Sequence, residues 1–252
     1  MSDSLLYESN RMVATLTINR PERRNALSGE VIESMLAKLD EIDADPAVRV
    51  VVLTGAGEKA FCAGADLGGG VGGQGTNRYA ELLKRIVSFP KPTVARVRGY
   101  CLAGGMGLML ACDIVIADES AKFGTPEVNV GLWPSMISAL IYRNMLPKHA
   151  LPMILLGDRF GVKQADQMGF LTEVTSPETL DKRIAEIAQA LSEKSPIGMR
   201  LGKASYLAMQ NMSFEEGVDY LSGQLSQVAS TKDAQEGILA FMEKRKPIFK
   251  GE

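Results

Sequence analysis

The sequence predicts an α/β fold, and three observations carry the prediction. Short runs rich in β-branched residues alternate with helix-periodic segments through the first half of the chain. Two of these runs lead into glycine-bearing bends, "CAGAD" and "GYCLAGGMG". Beyond Pro134 helical periodicity dominates to the last residues, and the helix starts are well marked.

The elements follow in order. Val13–Asn19, "VATLTIN", alternates and reads as a strand. "RPERRNALS" is a charged turn whose last residue, Ser28, caps a helix running to about Asp43. Val31, Ile32, Met35, Leu36 and Leu39 form its apolar stripe. Ala47–Gly55, "AVRVVVLTG", is a β-branched run and reads as a buried strand. Gly57–Gly75 reads as a long Gly-rich loop, followed by a helix over Arg78–Ser88 and a strand over Thr93–Arg98. Cys112–Ser120 is a further strand, and Ala121–Ser135 reads as strand and turn. Ser176-Pro177, Ser195-Pro196 and the capping box Ser213-x-x-Glu216 mark later helix starts. This divides the chain into an α/β body over residues 1–195 and a helical part over 196–252.

Composition narrows the function classes. The chain has 252 residues, 46% of them hydrophobic, enough for a sizeable core. Lys plus Arg total 28 against 30 Asp plus Glu, so no basic excess points to nucleic acid or a membrane surface. No apolar run approaches membrane-spanning length, and the N-terminus has no signal-peptide core. Cys62, Cys101 and Cys112 are few, odd in number and lack metal spacing, which suggests a reducing compartment and a cytoplasmic protein. His149 is the sole histidine, so a His-dependent triad has one candidate, and a structural role is the commoner fate of a lone His.

Glycine carries the chemical signal. Gly70–Gly75 matches G-x-G-x-x-G by spelling, but no strand leads directly into it, so a loop is the better reading than a dinucleotide site. Neither a Walker motif nor a G-x-S-x-G elbow occurs. In "GYCLAGGMGLMLACD", Gly99–Asp113, the glycines give way to an apolar helix. Such a junction exposes unpaired backbone N–H groups at a helix N-terminus, and small residues let a ligand oxygen approach them. A second N–H from "CAGAD" completes a pair, the donor set of an oxyanion hole.

"FCAGADL", "GYCLAGGMGL…ACDIVIA", "FGTPEVNVGL" and "GILAFMEKRKPIF" together resemble the enoyl-CoA hydratase/isomerase (crotonase) family, from about Ala14 to Phe249. The resemblance implies a spiral of ββα units with a C-terminal helical trimerisation region, assembled as a homotrimer or homohexamer. It implies an acyl-CoA thioester substrate whose carbonyl oxygen is held by the N–H groups of Ala65 and Gly104 while an enolate forms. Coenzyme A enters as part of the substrate, and no prosthetic group or metal is required. Glu127 matches a catalytic Glu of many members. Its apolar neighbours Pro126, Val128 and Val130 predict burial and a raised pKa, with a solvated strand-edge Glu as the alternative.

One departure shapes the reaction. Family hydratases usually carry a second Glu three residues beyond the oxyanion glycine, and here that position is Gly107. A single carboxylate suits the shuttling of a proton between two carbons, as in family isomerases that move a double bond from position 3 to position 2. Hydration of a 2-enoyl thioester is the second reading. A non-catalytic acyl-CoA-binding protein, decarboxylation and thioester hydrolysis are further ones. For CoA, the resemblance implies Arg24, beside Arg23, at the nucleotide phosphates, and Ala63, Asp66 and Leu67 near the adenine. It also implies Phe241 and Lys244 reaching the CoA of a neighbouring subunit, the alternative being that Ile238, Leu239, Phe241 and Met242 form the packing stripe of the last helix. Leu132, Trp133 and Met136, in a segment bulkier than that of many hydratases, are the candidate acyl-pocket wall, or else core.

Overall fold

The computed structural model describes residues 4–65 and 74–252. Each repeating unit sends one strand into a large sheet, turns a short corner, sends a second strand into a small sheet, and follows with helix. β3 (Val50–Gly55) and β4 (Ala60–Cys62) precede α2 (Gln74–Val87). β5 (Thr93–Val97) and β6 (Tyr100–Leu102) precede α3 (Gly104–Ala111). β7 (Ile114–Asp118) and β8 (Lys122–Gly124) precede a 3-10 turn, Pro126–Val130. With β1 (Leu5–Asn10), β2 (Val13–Ile18), β9 (Phe160–Gly161) and β10 (Glu173–Thr175), the sheets run β1-β2-β3-β5-β7-β10 and β4-β6-β8-β9. Pairing is parallel except at β1–β2 and β8–β9. This is the ββα spiral.

The corners explain the glycines. Gly99 links β5 to β6 at φ +65°, and a Cβ there would stand 2.2 Å from the Lys59 carbonyl oxygen. Only glycine adopts this backbone freely while passing so close to the backbone of the β3–β4 corner. The continuous apolar run Val50–Leu53 is buried, as a central parallel strand with covered faces must be. α1 (Gly29–Ala44) buries the whole expected stripe, and Ser28 Oγ accepts from the Val31 amide at 3.3 Å.

Several expectations shift in detail. β1, pairing with β2 from Leu5↔Ile18 to Asn10↔Val13, had no clear signal, because most of its residues are exposed on an edge strand. The expected loop over 57–75 contains β4, and α2 begins at Gln74 rather than Arg78. Ala121–Ser135 folds as β8 plus the 3-10 turn, with α4 (Ser135–Asn144) starting at its end. Ser176-Pro177 does not cap a helix. α7 (Leu180–Ser192) begins after Thr179, whose side chain makes no cap bond. The other two starts hold: Ser195 accepts from Gly198 N at the head of α8 (Pro196–Met209), and Ser213 and Glu216 form a full capping box on α9 (Phe214–Ala229).

Candidate active site

Two strand-following bends meet. The first is "CAGA". Leu27 N donates to Gly64 O at 2.8 Å and Ala63 N to Arg24 O at 3.0 Å, so the charged turn of residues 20–27 holds this bend in place. The second is the start of α3. A Cβ built on Gly64, at φ +106°, would lie 3.5 Å from the Gly104 amide nitrogen. One built on Gly104 would lie 3.7 Å from the Ala65 amide nitrogen. The structure thus brings Ala65 and Gly104 together. Gly104 is the first residue of α3, where an amide has no partner within its own helix and the dipole favours negative charge.

The second bend carries strain. Ala103, which caps α3, sits at φ 50°, ψ −126°. A non-glycine residue there costs roughly 1–3 kcal/mol and persists only when its surroundings fix it. Ala103 N donates to Gly124 O at 3.0 Å, continuing the β6–β8 ladder. The Tyr79 hydroxyl, from α2, donates to Gly104 O at 2.5 Å. Gly105 completes the approach: a Cβ on it would stand 2.1 Å from the Cys62 carbonyl oxygen.

Glu127 follows Gly124 by three residues, in the 3-10 turn. Gly131, at φ 76°, closes that turn on the Glu127 carbonyl. Asn129 Nδ2 donates to Gly157 O at 3.1 Å, pinning the turn to the end of α5 (Pro147–Leu156). One carboxylate oxygen, Oε2, is buried without a hydrogen-bond partner among the described residues. Burial pushes the Glu127 carboxyl above its ordinary value, only partly opposed by a bond from its own backbone. The predicted direction holds, yet not every neighbour is buried as expected: Val130 is 66% exposed.

Gly107 has no spare room. A Cβ there would lie 2.4 Å from Tyr79 Oη and 2.4 Å from Ile137 Cγ2. Ile137 comes from α4, which packs on α3. The neighbouring wall residues differ in exposure. Leu132 is 37% and Trp133 44% exposed, whereas Met136 is partly buried against the main core. Trp133 is therefore not a core residue of the single chain.

Other predicted positions lie further out. Arg24 and Arg159 each stand 5.6 Å from the Tyr100 ring centroid, and neither forms an ion pair among the described residues. Arg23, next to Arg24 in sequence, is exposed. Asp66 and Leu67 lie outside the described residues. Phe241, on α10 (Lys232–Met242), is 84% exposed, and Lys244 follows the helix at φ 55°. Ile238, Leu239 and Met242 are exposed as well, while Asp233 and Ala240 face inward. Within one chain, the packing-stripe alternative for these four apolar residues fails.

Sequence reasoning missed Tyr79, Asn25 and Arg159. Asn25 is fully buried at φ 56°. Its Nδ2 donates to Ala56 O and Ala60 O at 3.0 and 2.7 Å, and its Oδ1 accepts from Arg20 N at 3.0 Å. It ties the charged turn to the β3–β4 corner. An Asn in a turn was the available signal, since Asn tolerates the left-handed region. The cysteines play no visible part: burial pushes Cys62 and Cys112 up to about 12, and Cys101 up as well.

Known proteins agree with this architecture. Residues 8–252 match the family described as Enoyl-CoA hydratase/isomerase. The chain is 34% identical over 262 residues to the carnitinyl-CoA dehydratase of Escherichia coli O157:H7, covering 100% of both chains. It is 31% identical over 252 residues to the 2,3-dehydroadipyl-CoA hydratase of Escherichia coli K12, covering 98% of each. The crystal structure of an enoyl-CoA hydratase from Bacillus anthracis superposes with a TM-score of 0.94 at 32% identity, covering 99% of this chain and 100% of that one. Two sheets fed by alternate strands, converging glycine bends and an end-to-end sequence match have one common explanation: the chain belongs to the enoyl-CoA hydratase/isomerase family.

Proposed function

We propose that this protein binds an acyl-CoA thioester, holds its carbonyl oxygen between the Ala65 and Gly104 amides, and moves a proton through Glu127, giving an enoyl-CoA isomerisation. Glu127, ionised, takes a proton from C2 of a 3-enoyl thioester. The electron pair delocalises onto the thioester oxygen, where two amide donors are each worth about 3 kcal/mol to the transition state. Returning the proton to C4 leaves the double bond at position 2 and restores the carboxylate. The single observation that carries this reading is the packed space over Gly107, which leaves Glu127 without a second carboxylate at that position. The raised Glu127 pKa fits a general base that must also give its proton back.

Hydration of a 2-enoyl thioester is the second reading, favoured by relatives named as a hydratase and a dehydratase. Turnover of 2-enoyl and 3-enoyl thioesters separates the two. Glu127→Gln is expected to lower kcat by about 10²–10⁴ on the physiological substrate. Unchanged turnover would remove Glu127 from the mechanism.

For CoA, the cations Arg24 and Arg159, each 5.6 Å from the Tyr100 ring centroid, suit the nucleotide phosphates, with Ala63 near the adenine. The exposed Phe214, Leu225, Phe241 and Met242 of the region 196–252 support self-association as a homotrimer or homohexamer, in which Phe241 and Lys244 reach a neighbour's CoA. Sedimentation of the purified protein tests the assembly. No helix of the described residues is long and apolar enough to cross a membrane. We propose a cytoplasmic location on the cysteine usage alone, three thiols without metal spacing.

A further inference from the structure

We propose that Tyr79 is a positioning residue of this site: its hydroxyl fixes the strained turn that presents the Gly104 amide, and with Ile137 it occupies the volume over Gly107. The inference rests on the oxyanion reading above.

Three observations converge on this side chain. Its hydroxyl lies 2.5 Å from the Gly104 carbonyl oxygen, so it constrains the residue whose amide faces the substrate. That residue follows Ala103, whose φ of 50° is costly and must be held by its surroundings. A Cβ on Gly107 would approach Tyr79 Oη to 2.4 Å, so the hydroxyl stands where a side chain from position 107 would emerge. The groups facing it are apolar or weakly acidic: Cys62 and Cys101 are near enough to act electrostatically, and so is Glu127. Burial, with those groups adding to it, pushes the phenol well above its ordinary value. Tyr79 therefore stays a neutral donor at working pH and carries no proton through the cycle.

Its effect is mechanical and electrostatic. With the hydroxyl in place, the Gly104 amide is preorganised before charge develops on the thioester oxygen. Without it, the turn is free to relax from the Ala103 conformation, and the amide swings off the oxygen. The loss falls on the transition state rather than on CoA binding, because the CoA contacts lie on other elements.

The test uses 2,4-hexadienoyl-CoA as a probe, since polarising its carbonyl moves the absorbance of the conjugated system to longer wavelength. The wild-type protein is expected to produce that shift on binding. Tyr79→Phe is expected to lose at least half of it, with kcat on a 3-enoyl thioester reduced about tenfold and KM within about twofold. Replacing Tyr79 by 3-fluorotyrosine keeps the ring and strengthens the donor, so the shift should equal or exceed that of the wild type. A full shift and full kcat in Tyr79→Phe would overturn the proposal. So would loss of the shift in the fluorotyrosine protein, which serves as the second variant if Tyr79→Phe does not fold. A wild-type protein that binds the probe without any shift would instead overturn the oxyanion reading itself.

Discussion

Replacing Gly107 by Ala tests whether the space over α3 is closed. A methyl there would lie 2.4 Å from both Tyr79 Oη and Ile137 Cγ2, about an ångström inside ordinary contact. Both neighbours are buried, at 8% and 3% exposure, so neither swings into solvent. Overpacking of this kind costs roughly 1–3 kcal/mol. Against it stands the helix-propensity gain of Ala over Gly, about 1 kcal/mol. The net expectation is a loss of about 1 kcal/mol. Gly202→Ala, in α8, is the control. Its added Cβ meets nothing within 4 Å, so the propensity gain stands alone. The two variants should differ by about 2 kcal/mol, or roughly 4–8 °C in Tm for a domain of this size. The assay is thermal unfolding by circular dichroism. Tyr79→Phe removes one of the two clashing atoms, so Gly107→Ala should cost about 1 kcal/mol less in that background. A Gly107→Ala protein as stable as Gly202→Ala would refute the packing argument, and strict additivity would refute the role given to Tyr79 Oη. It follows that Gly107→Glu alone gains no hydration activity, because the carboxylate has no place to enter.

Two further outcomes follow from the same geometry. The Glu127 carboxyl is raised above its ordinary 4.5 in the folded chain, so its stabilising contribution is full below that value and lost as pH rises through the raised one. Glu127→Gln mimics the neutral form. Its Tm advantage over the wild type should be near zero at about pH 4 and grow towards pH 7, and a flat or inverted difference would show that burial does not oppose the charge. Asn25→Ala removes the side-chain partner of three backbone groups, the Ala60 carbonyl buried and the Ala56 carbonyl and Arg20 amide partly buried, and puts Ala at φ 56°. It should cost about 4 kcal/mol, read as a Tm loss of roughly 8–16 °C. A loss under about 1 kcal/mol would mean that water replaces the side chain.

Much of this protein is legible in its order of residues. The β-branched runs, the α1 stripe and the Ser213–Glu216 box depend on neighbours within a few positions, so local periodicity and capping chemistry determine them. The two glycine bends and the lone carboxylate near Pro126 are legible for the same reason. What the sequence leaves open is which distant groups share a space. Tyr79 looks like one more helix residue until α2 lays its hydroxyl on the Gly104 carbonyl, 25 residues away. Gly107 reads as a missing acid, and only the packing of α4 on α3 makes it a filled position. The apolar residues near the C-terminus look like a core stripe, yet the helix turns them outward. Periodicity reports that a face is apolar; the body packed against it is a long-range fact, set by which elements the spiral brings into contact.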